Sequence, residues 1–341
     1  MSTVKAYAAS GAGQELKPFE YNLGPIGADE VDIKIHSSGM CHSDLSMLKN
    51  DWGMTQYPFV PGHEVVGEIE AMGEHVKSTV SLLKQGQKVG VGWFSKSCMT
   101  CDQCMNGQHN LCAKVEGIIV GRHGGFANRV RVHWSWVTPL PSELDLNSAG
   151  PLFCGGITVF NPILQYQIKP TDKVGVVGVG GLGHLALQFL NKWGCEVTAF
   201  TSSSSKTDEL KKLGAHKVVA SNKDSELEKI KSYYDFIMVT GNHTLNWGLF
   251  LQALAPKGKL HFVGAVPEAI PVAAFSLIGG QKQISGSPLG SPYTIRTMLE
   301  FCARHKIGPQ IETFPLSKVN DAFKRLESGK ARYRIVLKND L

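Results

Sequence analysis

Two hydrophobic rhythms divide this chain. Up to about residue 150, short β-branched runs such as Val31-Asp-Ile-Lys-Ile, Val65-Val-Gly-Glu-Ile and Lys88-Val-Gly-Val alternate with polar positions and are separated by Gly- and Pro-rich turns. Alternation of this kind marks half-buried strands, so the first part predicts an irregular, mostly β domain. From about Thr171 the order becomes strand, glycine-rich turn, helix, strand: Lys173–Val179, then Leu182–Trp193, then Glu196–Phe200. Further strands are expected at Phe236–Thr240 and Lys259–Val263. Continuous apolar strands alternating with helices predict a parallel sheet covered on both faces, an α/β architecture. Tyr333-Arg334-Ile-Val-Leu reads as a last strand that rejoins the first domain. There is no internal repeat, and no low-complexity stretch beyond the four serines at 202–205.

Length and composition agree with this division. A chain of 341 residues exceeds the usual size of one core, so two domains are expected. Apolar residues make up 43% and charged residues 19%, an ordinary globular balance that argues against disorder. Met1-Ser-Thr-Val-Lys-Ala-Tyr lacks the layout of a secretory leader. No apolar run approaches membrane-spanning length. A reducing, cytoplasmic location is expected, without a membrane partner. The net charge of +6 is spread along the chain, with Lys211-Lys212 about its densest pair, which excludes a nucleic-acid stripe. A phosphate-bearing cofactor needs only a few of these cations.

The eight cysteines change the picture more. Cys41, Cys98, Cys101, Cys104, Cys112 and Cys154 fall in suggestive places, whereas Cys195 and Cys302 stand alone. Metal binding explains this clustering better than disulfides do. Cys41-His42-Ser43-Asp44 and Gly62-His63-Glu64 bring thiol, hydroxyl and imidazole into a short span. Thiolate and imidazole suit zinc, and a catalytic zinc needs three protein ligands with one position open. Cys41 and His63 supply two, and Cys154 is the best candidate for the third. Cys98-x-x-Cys101-x-x-Cys104 followed by Cys112 places four thiols in one loop. Four thiolates close a tetrahedron and leave no room for water, which points to a structural zinc. An iron–sulfur cluster or a nucleic-acid finger are the alternatives.

Gly178-Val179-Gly180-Gly181-Leu182-Gly183 follows a predicted strand and opens a predicted helix. In that context the first glycine permits the tight turn, the second admits a pyrophosphate and the third lets the helix pack on the strand. Free N–H groups at the helix start then hold phosphate. An NAD site usually carries a carboxylate about twenty residues on, at the end of the second strand. Here Thr201, Ser202, Ser203 and Lys206 occupy that place, offering hydroxyls and a cation to a 2′-phosphate. NADP is therefore expected rather than NAD.

With these motifs in this order, the chain resembles the zinc-dependent medium-chain alcohol dehydrogenases, and among them the cinnamyl alcohol dehydrogenase-like, NADP-dependent aldehyde reductase subgroup. The resemblance implies a GroES-like catalytic domain, residues 1–153 with 291–341, and an inserted Rossmann domain, 154–290. It implies catalytic zinc on Cys41, His63 and Cys154, with Glu64 able to reach the metal and Asp44 orienting the imidazole. Ser43 would hand a proton to the substrate oxygen. Where many relatives continue the relay through a histidine this chain has Ser46, so water beside Ser46, or Asp51, would finish it. His42 and Arg334 would lie near the pyrophosphate, Thr158 would back the nicotinamide, and Thr240, Gly264 and Ser287-Pro288-Leu289 would line its half of the site. Trp52 and Trp93 would border the substrate cleft and favour a flat or medium-length aldehyde. A homodimer is the family expectation.

The activity so implied is hydride transfer between NADPH and an aldehyde, or the reverse from a primary alcohol. An NAD-linked alcohol or polyol dehydrogenase of the same fold is the alternative, and a non-catalytic binding protein on a dehydrogenase scaffold is another.

Overall fold

In the computed structural model, which describes residues 3–341, the alternating segments become strands of a unit that runs to Ile157 and resumes at Gly290. These are β1 (Thr3–Ala8), β2 (Lys17–Asn22), β3 (Glu30–Met40), β4 (Glu64–Met72), β5 (Lys88–Val91), β6 (Phe94–Lys96), β7 (Glu116–Gly117), β8 (Arg129–His133) and β9 (Thr138–Pro139). The long strands β3 and β4 run antiparallel, with β8 on the first and β5 on the second. Their inward positions, among them Val31, Ile33, Val65, Ile69, Val89 and Val130, form one core. The period-two pattern is satisfied because one face of each strand meets that core.

The second unit, Thr158–Leu289, carries β10 (Lys173–Val177), β11 (Glu196–Thr201), β12 (Lys217–Ala220), β13 (Tyr234–Val239), β14 (Leu254–Phe262) and β15 (Gln283–Gly286). Their order is β12-β11-β10-β13-β14-β15, with each neighbouring pair parallel. The chain thus winds outward in both directions from β10, and such a sheet binds ligand beyond the carboxyl ends of its strands, where the winding reverses. Val174, Val176, Val197, Ala199, Ile237 and Leu260 are fully buried, as a doubly covered sheet requires. β10 stops two residues short of the expected Val179, because Gly178 takes φ +85 and turns the chain out of the sheet. The helix Gly183–Trp193 then packs back on the strands through Leu185, Phe189 and Leu190.

After this unit the chain returns. β16 (Ile311–Pro315) pairs in parallel with β17 (Arg334–Lys338), and β17 lies antiparallel to β3 with Ile335 opposite Met40. The last strand therefore carries Arg334 into the first unit. No helix among the described residues is long and apolar enough to cross a membrane.

Gly183 gives a direct test of the turn's packing, since a Cβ there would sit 2.2 Å from the Gly178 carbonyl oxygen and 3.0 Å from Thr240 Oγ1. Gly183→Ala is expected to cost about 1–3 kcal/mol, the usual penalty of overpacking. The urea midpoint should fall with an unchanged m value; an unmoved midpoint would show that helix and strand have slack.

Candidate functional site

A single carboxylate organises the first site. Cys41 caps the helix His42–Lys49, and Asp44 in its first turn accepts the Cys41 N–H on Oδ2 at 3.0 Å. Asp44 Oδ1 accepts the Gly62 N–H at 2.8 Å and lies 3.0 Å from His63 Nδ1. The fully buried Asp44 thus joins the helix start to the segment leading into β4. With Nδ1 bound to the carboxylate, the imidazole presents Nε2 on its other side.

Nε2 faces sulfur on two sides, 3.2 Å from Cys41 Sγ and 3.3 Å from Cys154 Sγ. Cys154 arrives on the short 3₁₀ turn Gly150–Phe153, which packs on β3, β4 and β5. Glu64 lies opposite Gly39 in the β3–β4 register, and a Cβ at Gly39 would displace its Oε2 from the position seen here. One donor atom from each of Cys41, His63, Glu64 and Cys154 lies within 4.8 Å of the others. Glu64 Oε2 is buried with no hydrogen-bond partner among the described residues, while Oε1 accepts from Arg334 Nη2. Two thiols, an imidazole and an orphaned carboxylate oxygen converging in the interior fit a borderline-soft divalent cation such as zinc.

The electrostatics of this cluster follow from burial and from opposed charges at short range. Burial raises the Cys41 thiol, but the hydrogen bond with Cys154 and the charges of His63 and Arg334 outweigh it and leave it well below its ordinary value. Burial likewise works against the charged His63, yet Asp44 and Cys41 hold its pKa well above the ordinary value. Glu64 is pushed up to about 7 by burial, against the opposing pull of Arg334. Cys154 is raised by its bond with Cys41 and by burial. Arg334 resists burial and stays charged, because Glu64, Cys41 and Cys154 surround it.

The four-cysteine loop forms a second cluster. Sγ atoms of Cys98, Cys101, Cys104 and Cys112 lie within 4.8 Å of one another. Cys98 is drawn down to about 6 by the backbone N–H groups of Thr100 and Cys101, which favour a thiolate. All eight cysteines are free thiols. Four sulfurs, joined by no further Cys, His, Asp or Glu donor among the described residues, fit a closed tetrahedral site.

In the second unit, the turn after β10 is shaped for a bound group. Thr240 Oγ1 donates to the Gly178 carbonyl at 2.5 Å, tying the end of β13 to the turn. Leaving aside its two chain neighbours, a Cβ added at Gly180 would meet no atom of the described residues within 4 Å, so the space over it is open, as a pyrophosphate on the backbone requires. Beyond β11, Thr201 is buried, its Oγ1 accepts the Ser203 N–H at 3.2 Å, and Ser203 and Ser205 share a hydroxyl contact at 2.8 Å. No carboxylate stands between Thr201 and Asp208.

Residues 27–142 match the family described as alcohol dehydrogenase GroES-like domain, and residues 181–304 match that described as zinc-binding dehydrogenase. The aldehyde reductase AdhA of Synechocystis is 52% identical over 98% of this chain and 98% of its own. The chain is a member of the zinc-binding alcohol dehydrogenase family. Among solved structures, a cinnamyl alcohol dehydrogenase of Sorghum bicolor superposes with TM-score 0.92 at 35% identity, over 99% of this chain and 98% of that one. A cinnamyl alcohol dehydrogenase of Helicobacter pylori, solved with NADP(H), gives TM-score 0.89 at 29% identity over 98% of each chain. The two units of this dehydrogenase are accordingly a GroES-like domain and a Rossmann domain.

The remaining expected residues fall as follows. Trp93 sets its indole edge-on to His63 with ring centroids 5.0 Å apart, and Trp52 packs on Trp93 at 6.0 Å. Ser43 is half-buried, its N–H directed at Cys41 Sγ at 3.3 Å. His42 is exposed, Ser46 half-buried and Asp51 exposed. Thr158 is buried on the helix Gly155–Gln165 that follows Cys154. Thr240 and Gly264 lie just past β13 and β14, and Ser287-Pro288-Leu289 just past β15. Sequence reading missed the Asp44–Gly62 bond, the space that Gly39 leaves for Glu64, and His261, which is buried against Ser285 and Ser287. Each depends on strand register, for which the sequence carries only the buried polar residue types as a signal.

Asp44→Asn keeps the shape and removes the charge that orients His63. Metal affinity at this cluster is expected to drop about 10–100-fold, measured by chelator competition, while the metal on the four-cysteine loop is retained. Equal loss from both clusters would mean that the substitution disturbs the domain as a whole.

Proposed function

We propose that this dehydrogenase reduces aldehydes with NADPH and, in reverse, oxidises primary alcohols with NADP. The observation that carries this reading is the pairing, in one chain, of an open donor set at Cys41, His63 and Cys154 with a β11 end that offers hydroxyls and Lys206 where NAD enzymes place an acid. The 52% identity to an aldehyde reductase supports the same substrate class.

Zinc bound by Cys41, His63 and Cys154 would act as a Lewis acid on a carbonyl oxygen. Asp44 keeps the His63 imidazole turned toward the donors, and Glu64 stands by as a further ligand whose charge Arg334 balances. Ser43, two residues beyond Cys41, is the hydroxyl that supplies the oxygen with its proton. The route onward from it runs through water beside Ser46, or through Asp51. Trp93 and Trp52 form an apolar wall beside His63, suited to a flat or medium-length aldehyde.

For the nucleotide, Gly178, Val179, Gly180, Gly181, Leu182 and Gly183 hold the pyrophosphate through backbone N–H groups. Thr201, Ser202, Ser203 and Lys206 receive the 2′-phosphate. Thr240, Gly264 and Ser287-Pro288-Leu289 take the nicotinamide half, with Thr158 behind the ring and His42 and Arg334 assigned to the pyrophosphate. Bound by these residues, the nucleotide would supply or accept the hydride. Cys98, Cys101, Cys104 and Cys112 hold the second, structural zinc. We assign residues 154–290 to the nucleotide domain, and 1–153 with 291–341 to the catalytic one.

A homodimer and a cytoplasmic location complete the reading. β15 is an edge strand of its sheet, and Phe275 and Ile278, on the short helix Ala274–Ile278 that precedes it in the chain, are 86% and 65% exposed. An unpaired edge flanked by apolar side chains is suited to a second copy of the same strand across a two-fold axis. Cysteines that serve as metal ligands rather than in disulfides suit a reducing compartment.

A panel of aliphatic, benzylic and cinnamyl aldehydes is expected to give a higher kcat/KM with NADPH than with NADH. The reverse preference would redirect the reading to an NAD-linked alcohol or polyol dehydrogenase. Lys206→Ala should raise KM for NADPH about tenfold or more, the worth of a hydrogen bond to a charged group, and leave KM for NADH unchanged. Metal analysis should find two zincs per chain. Cys154→Ser should remove one of them and abolish turnover while nucleotide still binds; retained turnover would take Cys154 out of the metal site.

A further inference from the structure

His261 is fully buried near the end of β14, yet both of its ring nitrogens are used. Nδ1 lies 2.9 Å from Ser285 Oγ and Nε2 lies 3.0 Å from Ser287 Oγ. Strand register explains the geometry. His261 stands opposite Ser285 in the parallel β14–β15 pair, and side chains two residues apart share a face of the sheet. The ring therefore touches one serine inside β15 and one just past its end at Gly286. Tyr166 and Phe236 pack on the imidazole at centroid distances of 5.0 and 5.6 Å and fix its position.

The chemistry of the pair of contacts is that of a clamp. Burial holds the His261 pKa down to about 4, so at neutral pH the ring offers one N–H and one lone pair, and a serine hydroxyl complements either. Pro288 follows at once and restricts Ser287 to extended backbone. The course of the chain out of β15 is thus set by the imidazole on one side and the proline ring on the other. An apolar residue at 261 would fill the same space and leave Ser287 untied.

Sheet order gives the clamp a functional address. The glycine turn follows β10 and the hydroxyl-rich end belongs to β11, so a dinucleotide spread across the strand ends places its other half toward β13, β14 and β15. We propose that His261 is a positioning residue for the nicotinamide half of the nucleotide, acting through Ser287 to hold the Ser287-Pro288-Leu289 loop in its binding form. This rests on the NADP reading above.

The test compares two ligands and one property of the free protein. In His261→Phe and in Ser287→Ala, affinity for NADPH should weaken about tenfold, the worth of one to two hydrogen bonds. Affinity for adenosine 2′,5′-bisphosphate, which lacks the nicotinamide half, should stay as in the wild type. Without any nucleotide, amide exchange at Ser287 and Leu289 should speed up while the amides of β10 and β11 keep their protection. Equal losses for both ligands, or unchanged exchange in the loop, would overturn the proposal. Ser287→Ala keeps the test open if His261→Phe does not fold. Should the wild type prefer 5′-AMP to the bisphosphate, the NADP reading fails instead. The comparison is then run with NADH against 5′-AMP, where equal losses again count against His261.

Discussion

The GroES-like half of this enzyme depends on one buried carboxylate. Asp44 is removed from water, which is costly for a charge, and the cost is offset by the N–H groups of Cys41, Gly62 and His63. Those three donors belong to a helix start, an irregular segment and the residue next to β4. Holding them on one acid fixes the distance between Cys41 and His63 and the orientation of the imidazole at the same time. Both residues are therefore placed by an interaction that uses neither Cys41 Sγ nor His63 Nε2.

Around this anchor the charges alternate. Asp44 faces His63, His63 faces Cys41, and Glu64 faces Arg334, so that a cluster with almost no exposure keeps several ionic groups. Arg334 is the member that comes from farthest along the sequence, delivered by β17 pairing with β3. Glu64 in the interior without this partner would be an uncompensated buried charge, the costly case. Completion of the site and return of the chain end to the first sheet are in this way the same event.

Much of this was legible in the sequence, and the reasons are specific. The four-cysteine loop is local, so spacing alone predicts its convergence. The glycine turn was readable because strand, turn and helix are contiguous. The end of β10 was misjudged because Val179 continues the apolar run past Gly178, and only the positive φ of that glycine reveals the break. Gly39 opposite Glu64 and His261 opposite Ser285 are facts of register between strands. Register is decided by the whole sheet, and no short window of residues encodes it.

The two thiol-bearing clusters also differ in how much of the polypeptide each requires. Residues 98–112 complete one within a single loop, whereas the other joins positions 41, 63 and 154 and leans on residue 334. During synthesis the first can come together soon after the loop leaves the ribosome. The second reaches the arrangement seen here only once the final strand has delivered Arg334 to Glu64. The local cluster is accordingly available from a short stretch of nascent chain, and the distributed one only from the finished polypeptide.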